Sequence, residues 1–157
     1  MTLRDRLDEA LKSAMLARDA TAVATVRLIL AALKDRDINE RSRGNIEGLS
    51  DIQIAELLQA MIRQRRESIM FYTEGNRPEL AQQEADEIDV IKRFLPQQMS
   101  ADAIAAAVDQ AIAATGAGSL KDTGRVMGLL RQRFAGRMDF AKASASVRQR
   151  LVQERRD

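Results

Sequence analysis

Only two prolines, Pro78 and Pro96, interrupt a chain of 157 residues whose apolar side chains recur at steps of three and four. That period gathers side chains on one face of an α-helix, and with so few breakers the segments between them are long enough to be helices. The apolar set is mostly Ala, Leu, Ile, Val and Met, and aromatic residues make up 3%, so propensity points the same way as period. The spacing predicts an all-α protein.

Caps and breakers divide the chain. Thr2 caps a first helix with Leu3, Leu7, Ala10, Ala14 and Met15 on one stripe, ending near Asp19. A second, from about 21 to 37, buries Val23, Val26, Leu30 and Leu33, and the polar, glycine-bearing run 39–45 reads as a loop. Ser50-Asp-Ile-Gln53 has the form of a capping box and opens a third helix, with Ile54, Leu57, Leu58, Met61, Ile62 and Ile69 on one face and Gly75 as its stop. Pro78 suits the first turn of a fourth, with Leu80, Ile88, Ile91 and Leu95 inward, and Pro96 ends it. Pro96-Gln-Gln-Met-Ser100 couples a breaker to a fresh N-cap, so a domain boundary is expected there. The expected architecture is a four-helix N-terminal domain over 1–96 and a three-helix C-terminal domain over 97–157. The three helices are 101–115 closed by Gly116, about 120–134 after a Ser119 cap, and about 140–155 after an Asp139 cap.

The chain has no cysteine and no histidine. Disulfides, thiolate nucleophiles and cysteine metal sites are excluded, as is the usual proton shuttle of neutral pH. Nor does the sequence hold a glycine-rich phosphate loop after a strand, a metal-ligand cluster or a recognisable nucleophile motif. No cofactor or metal is expected, and no catalysis by this chain alone. No apolar run approaches the roughly 20 residues of a membrane span, and Met1-Thr-Leu-Arg-Asp-Arg6 lacks the apolar core of a signal peptide. A cytoplasmic protein without a membrane partner is the expectation.

Net charge is only +2, but it is unevenly spread: residues 1–99 hold 15 Lys and Arg against 17 Asp and Glu, and residues 100–157 hold 10 against 6. Much of the C-terminal excess falls on 119–137. On a helical wheel for 120–134, Leu120, Thr123, Val126, Met127, Leu130 and Phe134 share a core face. Lys121, Arg125 and Gln132 lie opposite, with Gly124 and Gly128 beside them. A glycine within a helix costs about 0.5–1 kcal/mol relative to alanine, and close approach of another backbone is the usual reason to keep two a turn apart. One reading is a flat shelf flanked by Lys121 and Arg125 and rimmed by Arg131, Arg133 and Arg137, on which a sugar–phosphate backbone rests without base readout. The other is tight packing against a neighbouring helix, with the basic residues merely solvated. In the larger domain Arg27, Arg65, Glu84 and Glu87 intrude on apolar stripes. An Arg–Glu network tying helices two, three and four together is expected, with a small anionic-ligand site as the alternative.

Phe94-Leu-Pro-Gln-Gln-Met-Ser100, Thr115-Gly-Ala-Gly-Ser-Leu-Lys-Asp-Thr-Gly-Arg-Val-Met-Gly128 and Gly136-Arg-Met-Asp139 resemble the signature of the GatB/YqeY family. Val26-Arg-Leu-Ile-Leu-Ala-Ala-Leu-Lys34 and Arg63-Gln-Arg-Arg-Glu-Ser-Ile69 are similar to its free-standing YqeY branch. The resemblance covers essentially the whole chain. It implies a C-terminal domain similar to the tail of the GatB component of glutamine-dependent tRNA amidotransferase, which helps to hold tRNA. By resemblance, then, residues 121–137 face tRNA, and the partners implied are tRNA and an amidotransferase or another tRNA-handling protein. Arg125 stands where the family often has lysine, Met138 where alanine is typical, and Phe140 where another glycine usually follows the turn. The chain lacks the kinase-like cradle of the full GatB component and the Ser-Ser-Lys machinery of the amidase component. Carbon–nitrogen ligase activity with glutamine as amide donor is thus implied only through the shared tail. A protein–protein adaptor, with a partner helix on the glycine shelf, is the competing expectation.

Overall fold

The computed structural model describes residues 1–156, the side chains of 154–156 excepted. Among the described residues there are seven α-helices and no strand: α1 Leu3–Leu16, α2 Ala20–Ser42, α3 Asp51–Glu74, α4 Pro78–Lys92, α5 Ala101–Thr115, α6 Thr123–Phe134 and α7 Phe140–Arg156. The all-helical expectation holds. By contact the chain divides into two compact units, Met1–Leu95 and Pro96–Asp157.

In the first unit α1, α2 and α3 each start where a side chain satisfies an orphan amide. Thr2 and Asp5 close a capping box on α1, Asp19 accepts from the Ala22 N–H at the head of α2, and Ser50 and Gln53 form a second box on α3. Pro78 occupies the first turn of α4, where its missing donor costs nothing. The stripes meet in a core that includes Leu7, Val26, Ile29, Ile54, Leu58 and Ile91.

Two ends differ from expectation. The run 39–45 is not all loop: α2 continues to Ser42 and stops only before Gly44, whose φ is +101°. Polarity does not stop a helix that lacks a breaker; the left-handed glycine does. At the other end α4 stops at Lys92, and Arg93, Phe94 and Leu95 each donate three residues back. Leu95 precedes Pro96, whose ring disfavours helical backbone at the residue before it, so the turn tightens early.

A buried carboxylate organises one end of this unit. Asp37 is 5% exposed and accepts from both terminal nitrogens of Arg4 at 2.6 Å and from the Leu49 N–H at 2.9 Å. Arg4 also donates to the Leu49 carbonyl at 3.0 Å. The start of α1, the last turns of α2 and the strap before α3 are thereby tied at one carboxylate. Gly48, with φ +79°, lies so close that a Cβ there would strike the Asp37 carboxylate.

In the second unit Ser100 caps α5 and Gly116, with φ +66°, ends it in left-handed backbone. Asp139 accepts from the Ala141 and Lys142 N–H groups at the head of α7. Val108, Ala111, Val126, Leu130, Met138, Ala143, Val147 and Leu151 make the core.

Candidate nucleic-acid interface

The segment after α5 does not continue straight into a helix. Leu120–Asp122 is a single 3-10 turn and α6 begins only at Thr123. The Asp122 carboxylate reaches back to the N–H groups of Gly118, at 2.9 Å, and Ser119, at 3.2 Å, while Thr123 Oγ1 donates to the Leu120 carbonyl at 2.7 Å. Such short-range bonds compete with regular helix and tighten its first turn. Leu120 is therefore displaced from the core face expected of it and is 42% exposed.

From Thr123 onward the expected core side forms: Val126, Met127 and Leu130 are buried. Gly124 and Gly128 are exposed, and a Cβ at either would meet nothing within 4 Å. Among the described residues of this unit, no helix presses on them. Tight packing within this unit therefore does not account for the glycines. Gly128→Ala is expected to raise stability by about 0.5–1 kcal/mol in thermal or denaturant unfolding; a loss would mean that space around Gly128 is occupied.

The same segment carries the basic residues. Lys121, Arg125, Arg131, Arg133 and Arg137 are all exposed. Arg125 donates to Asp122 at 2.8 Å, and Asp122 is held below the usual carboxylate range chiefly by the Gly118 N–H and then by Arg125. The Arg131 guanidinium lies 5.7 Å from the centre of the Phe140 ring. Lys121, Arg133 and Arg137 make no ion pair among the described residues. Arg137 is placed by its backbone: its carbonyl accepts from the Met99 N–H at 3.0 Å, and its N–H donates to Phe134 at 3.0 Å. The neighbouring Gly136, with φ +80°, has its carbonyl bonded by the Gln98 amide at 2.9 Å. The result is an exposed, cation-rich segment running from the 3-10 turn through α6 to the turn after it. Sequence reasoning missed Asp122 and Phe140 as parts of this face. Ser119-Leu-Lys-Asp122 has capping-box spacing and carried a signal for the first; Phe140 lies across a turn from Arg131, where helical period gives none.

The other charged group lies in the first unit. Arg65 Nε donates to Glu87 at 2.9 Å and has Glu84 at 3.9 Å, and its Nη1 donates to the Met61 carbonyl at 3.2 Å. Arg27 is exposed and stands outside this group. Two carboxylates share one guanidinium here. Glu84 is pushed up by burial first and by Glu87 second, against the pull of Arg65. An acid whose folded pKa is raised contributes most below its unfolded value and loses that contribution as pH rises through the folded one. Glu84→Gln is therefore expected to raise the melting temperature at pH 7 and to lose that advantage near pH 4, read by melting curves at the two pH values. Among the described residues no cluster of acids is arranged to hold a metal ion, and no single helix is long and apolar enough to cross a membrane.

Known proteins share this chain's pattern. "Altered inheritance of mitochondria protein 41, mitochondrial" of Lachancea thermotolerans is 32% identical over 91 residues, 58% of this chain and 46% of that protein. Its namesake in Eremothecium gossypii is 32% identical over 105 residues, 66% of this chain and 55% of that protein. The chain spans about half the length of the curated relatives it matches. These relatives are mitochondrial by name, and that finding overturns the expectation of a cytoplasmic protein. A family model described as Yqey-like protein matches residues 4–151. The chain belongs to the YqeY-like protein family.

Proposed function

We propose that this chain is a non-catalytic tRNA-binding module, acting alone or as an accessory to a tRNA-handling enzyme such as an amidotransferase. A four-helix N-terminal domain, residues 1–96, accompanies a three-helix C-terminal domain, residues 97–157, whose α6 face meets the sugar–phosphate backbone. The observation that carries this reading is the pair of open glycines on α6 with Lys121, Arg125, Arg131, Arg133 and Arg137 exposed around them. A glycine pair that no described neighbour in its unit requires is a stability cost that contact with something outside the unit would explain. A helix side without side chains lets a sugar–phosphate backbone come close, and guanidinium and ammonium groups nearby supply the charge that its phosphates meet. Similarity of the tail to that of the amidotransferase GatB component supplies tRNA as the occupant.

A second reading, a protein adaptor, is favoured by one observation: Leu120 is an apolar side chain 42% exposed at the edge of the same face. The two separate in a binding assay with unmodified tRNA. If nucleic acid is the partner, Arg125→Ala weakens binding and the loss shrinks as salt rises. If the partner is a protein helix, Gly128→Ala hurts more than Arg125→Ala, tRNA does not bind, and material captured from native lysate is unaffected by ribonuclease.

A further inference from the structure

Of the five exposed cations on the proposed tRNA face, two are held by a neighbour. Arg125 is drawn to Asp122 at 2.8 Å, and Asp122 is itself fixed by the Gly118 and Ser119 N–H groups. Arg131 lies over the half-buried ring of Phe140, on the next helix, at 5.7 Å. Arg125 and Arg131 are six positions apart on α6, about 9 Å along the axis at 1.5 Å per residue. They also point about 120° apart around the helix at 100° per residue, so the two guanidiniums suit separate anions of an extended ligand better than a single small anion. A long side chain loses rotamer freedom on binding, and a side chain already ordered loses less.

We propose that Asp122 and Phe140 are positioning residues, which pre-set Arg125 and Arg131 to meet two phosphates of one nucleic-acid backbone. This rests on the tRNA reading above. It runs against simple charge counting for Asp122, since an acid on a polyanion-binding face is otherwise expected to repel. Asp122 works because its carboxylate is already occupied by two backbone donors and a guanidinium, so it orients more than it repels.

The test is a pair of double-mutant cycles in tRNA binding at fixed low salt, with melting curves to show that each variant is folded. Phe140→Leu keeps charge and apolar bulk and is expected to weaken binding about two- to fivefold, the worth of one exposed cation–π contact. The loss should vanish in an Arg131→Ala background, and Phe140→Tyr should bind as wild type does. Asp122→Asn should also weaken binding, and in an Arg125→Ala background it should become neutral or favourable. Equal losses in both backgrounds would make the two residues merely structural, and tighter binding of Asp122→Asn alone would make Asp122 a repulsive charge; either overturns the proposal while tRNA binding stands. Failure of the wild-type protein to bind tRNA overturns both readings together.

Discussion

Asp37→Ala is expected to destabilise the unit Met1–Leu95 by about 2–4 kcal/mol, which for a unit of this size is about 10–20 °C in melting temperature. The carboxylate is buried and serves three donors from two directions, two on Arg4 and one at Leu49. Removing it leaves the Leu49 N–H without its acceptor, at about 1–3 kcal/mol. Arg4 also loses its counter-charge. The Arg4 side chain is 33% exposed, so water recovers part of that loss and the full penalty of a broken buried pair does not apply.

The effect has a pH signature. The Arg4 hydrogen bonds, more than any other influence, hold the Asp37 carboxyl below its ordinary 3.8. An acid whose folded pKa is depressed contributes its stability above the unfolded pKa and loses it as pH falls through the folded value. Asp37→Asn keeps an acceptor for Leu49 but not the charge, so its deficit against wild type should be full at pH 7 and shrink below about pH 4. Gly48→Ala should behave as a partial copy of Asp37→Ala, because the added methyl strikes the same carboxylate from backbone that already has φ +79°. Urea unfolding of the three variants at pH 7 and pH 3 decides the matter. A pH-independent difference between wild type and Asp37→Asn would contradict this role for the carboxylate.

What was legible in the sequence was whatever depends on neighbours in the chain. Ser50 and Gln53, Ser100, Gly75, Gly116 and Pro78 stop or start helices through contacts within four residues, and each does so at its expected place. What depends on residues far apart was not legible. Asp37 continues the stripe of Val26, Ile29 and Leu33, and an acid on a core stripe is a signal that a partner is needed. Nothing local says that the partner is Arg4, 33 residues away. The α6 face fell between these cases. Its buried side follows from period, but the period was extended one turn too far, because Asp122 and Thr123 bond to nearby backbone and turn Leu120 outward. The openness of Gly124 and Gly128 was beyond the sequence altogether, since a helical glycine pair reads equally as tight packing and as a bare surface.

The second large effect is expected on the tRNA affinity that the proposed function entails. If all five exposed cations of the face neutralise phosphates, the logarithm of affinity falls against the logarithm of salt with a slope of about −4.5, a loss of about 500-fold between 50 and 200 mM. Replacing Lys121 and Arg125 together by alanine removes two of those contacts. The slope should fall to about −2.7 and the loss over the same range to about 40-fold. Neither side chain contributes to the core, so folding should be unaffected and melting curves should nearly coincide.

The salt dependence of tRNA binding by the wild-type protein and this double variant is therefore the most direct measurement of whether α6 presents a phosphate-binding face. Two lines are expected, with slopes that differ by nearly two units and that converge at high salt. Superimposable lines, or no binding by the wild type at 50 mM salt, would contradict a phosphate-binding role for α6.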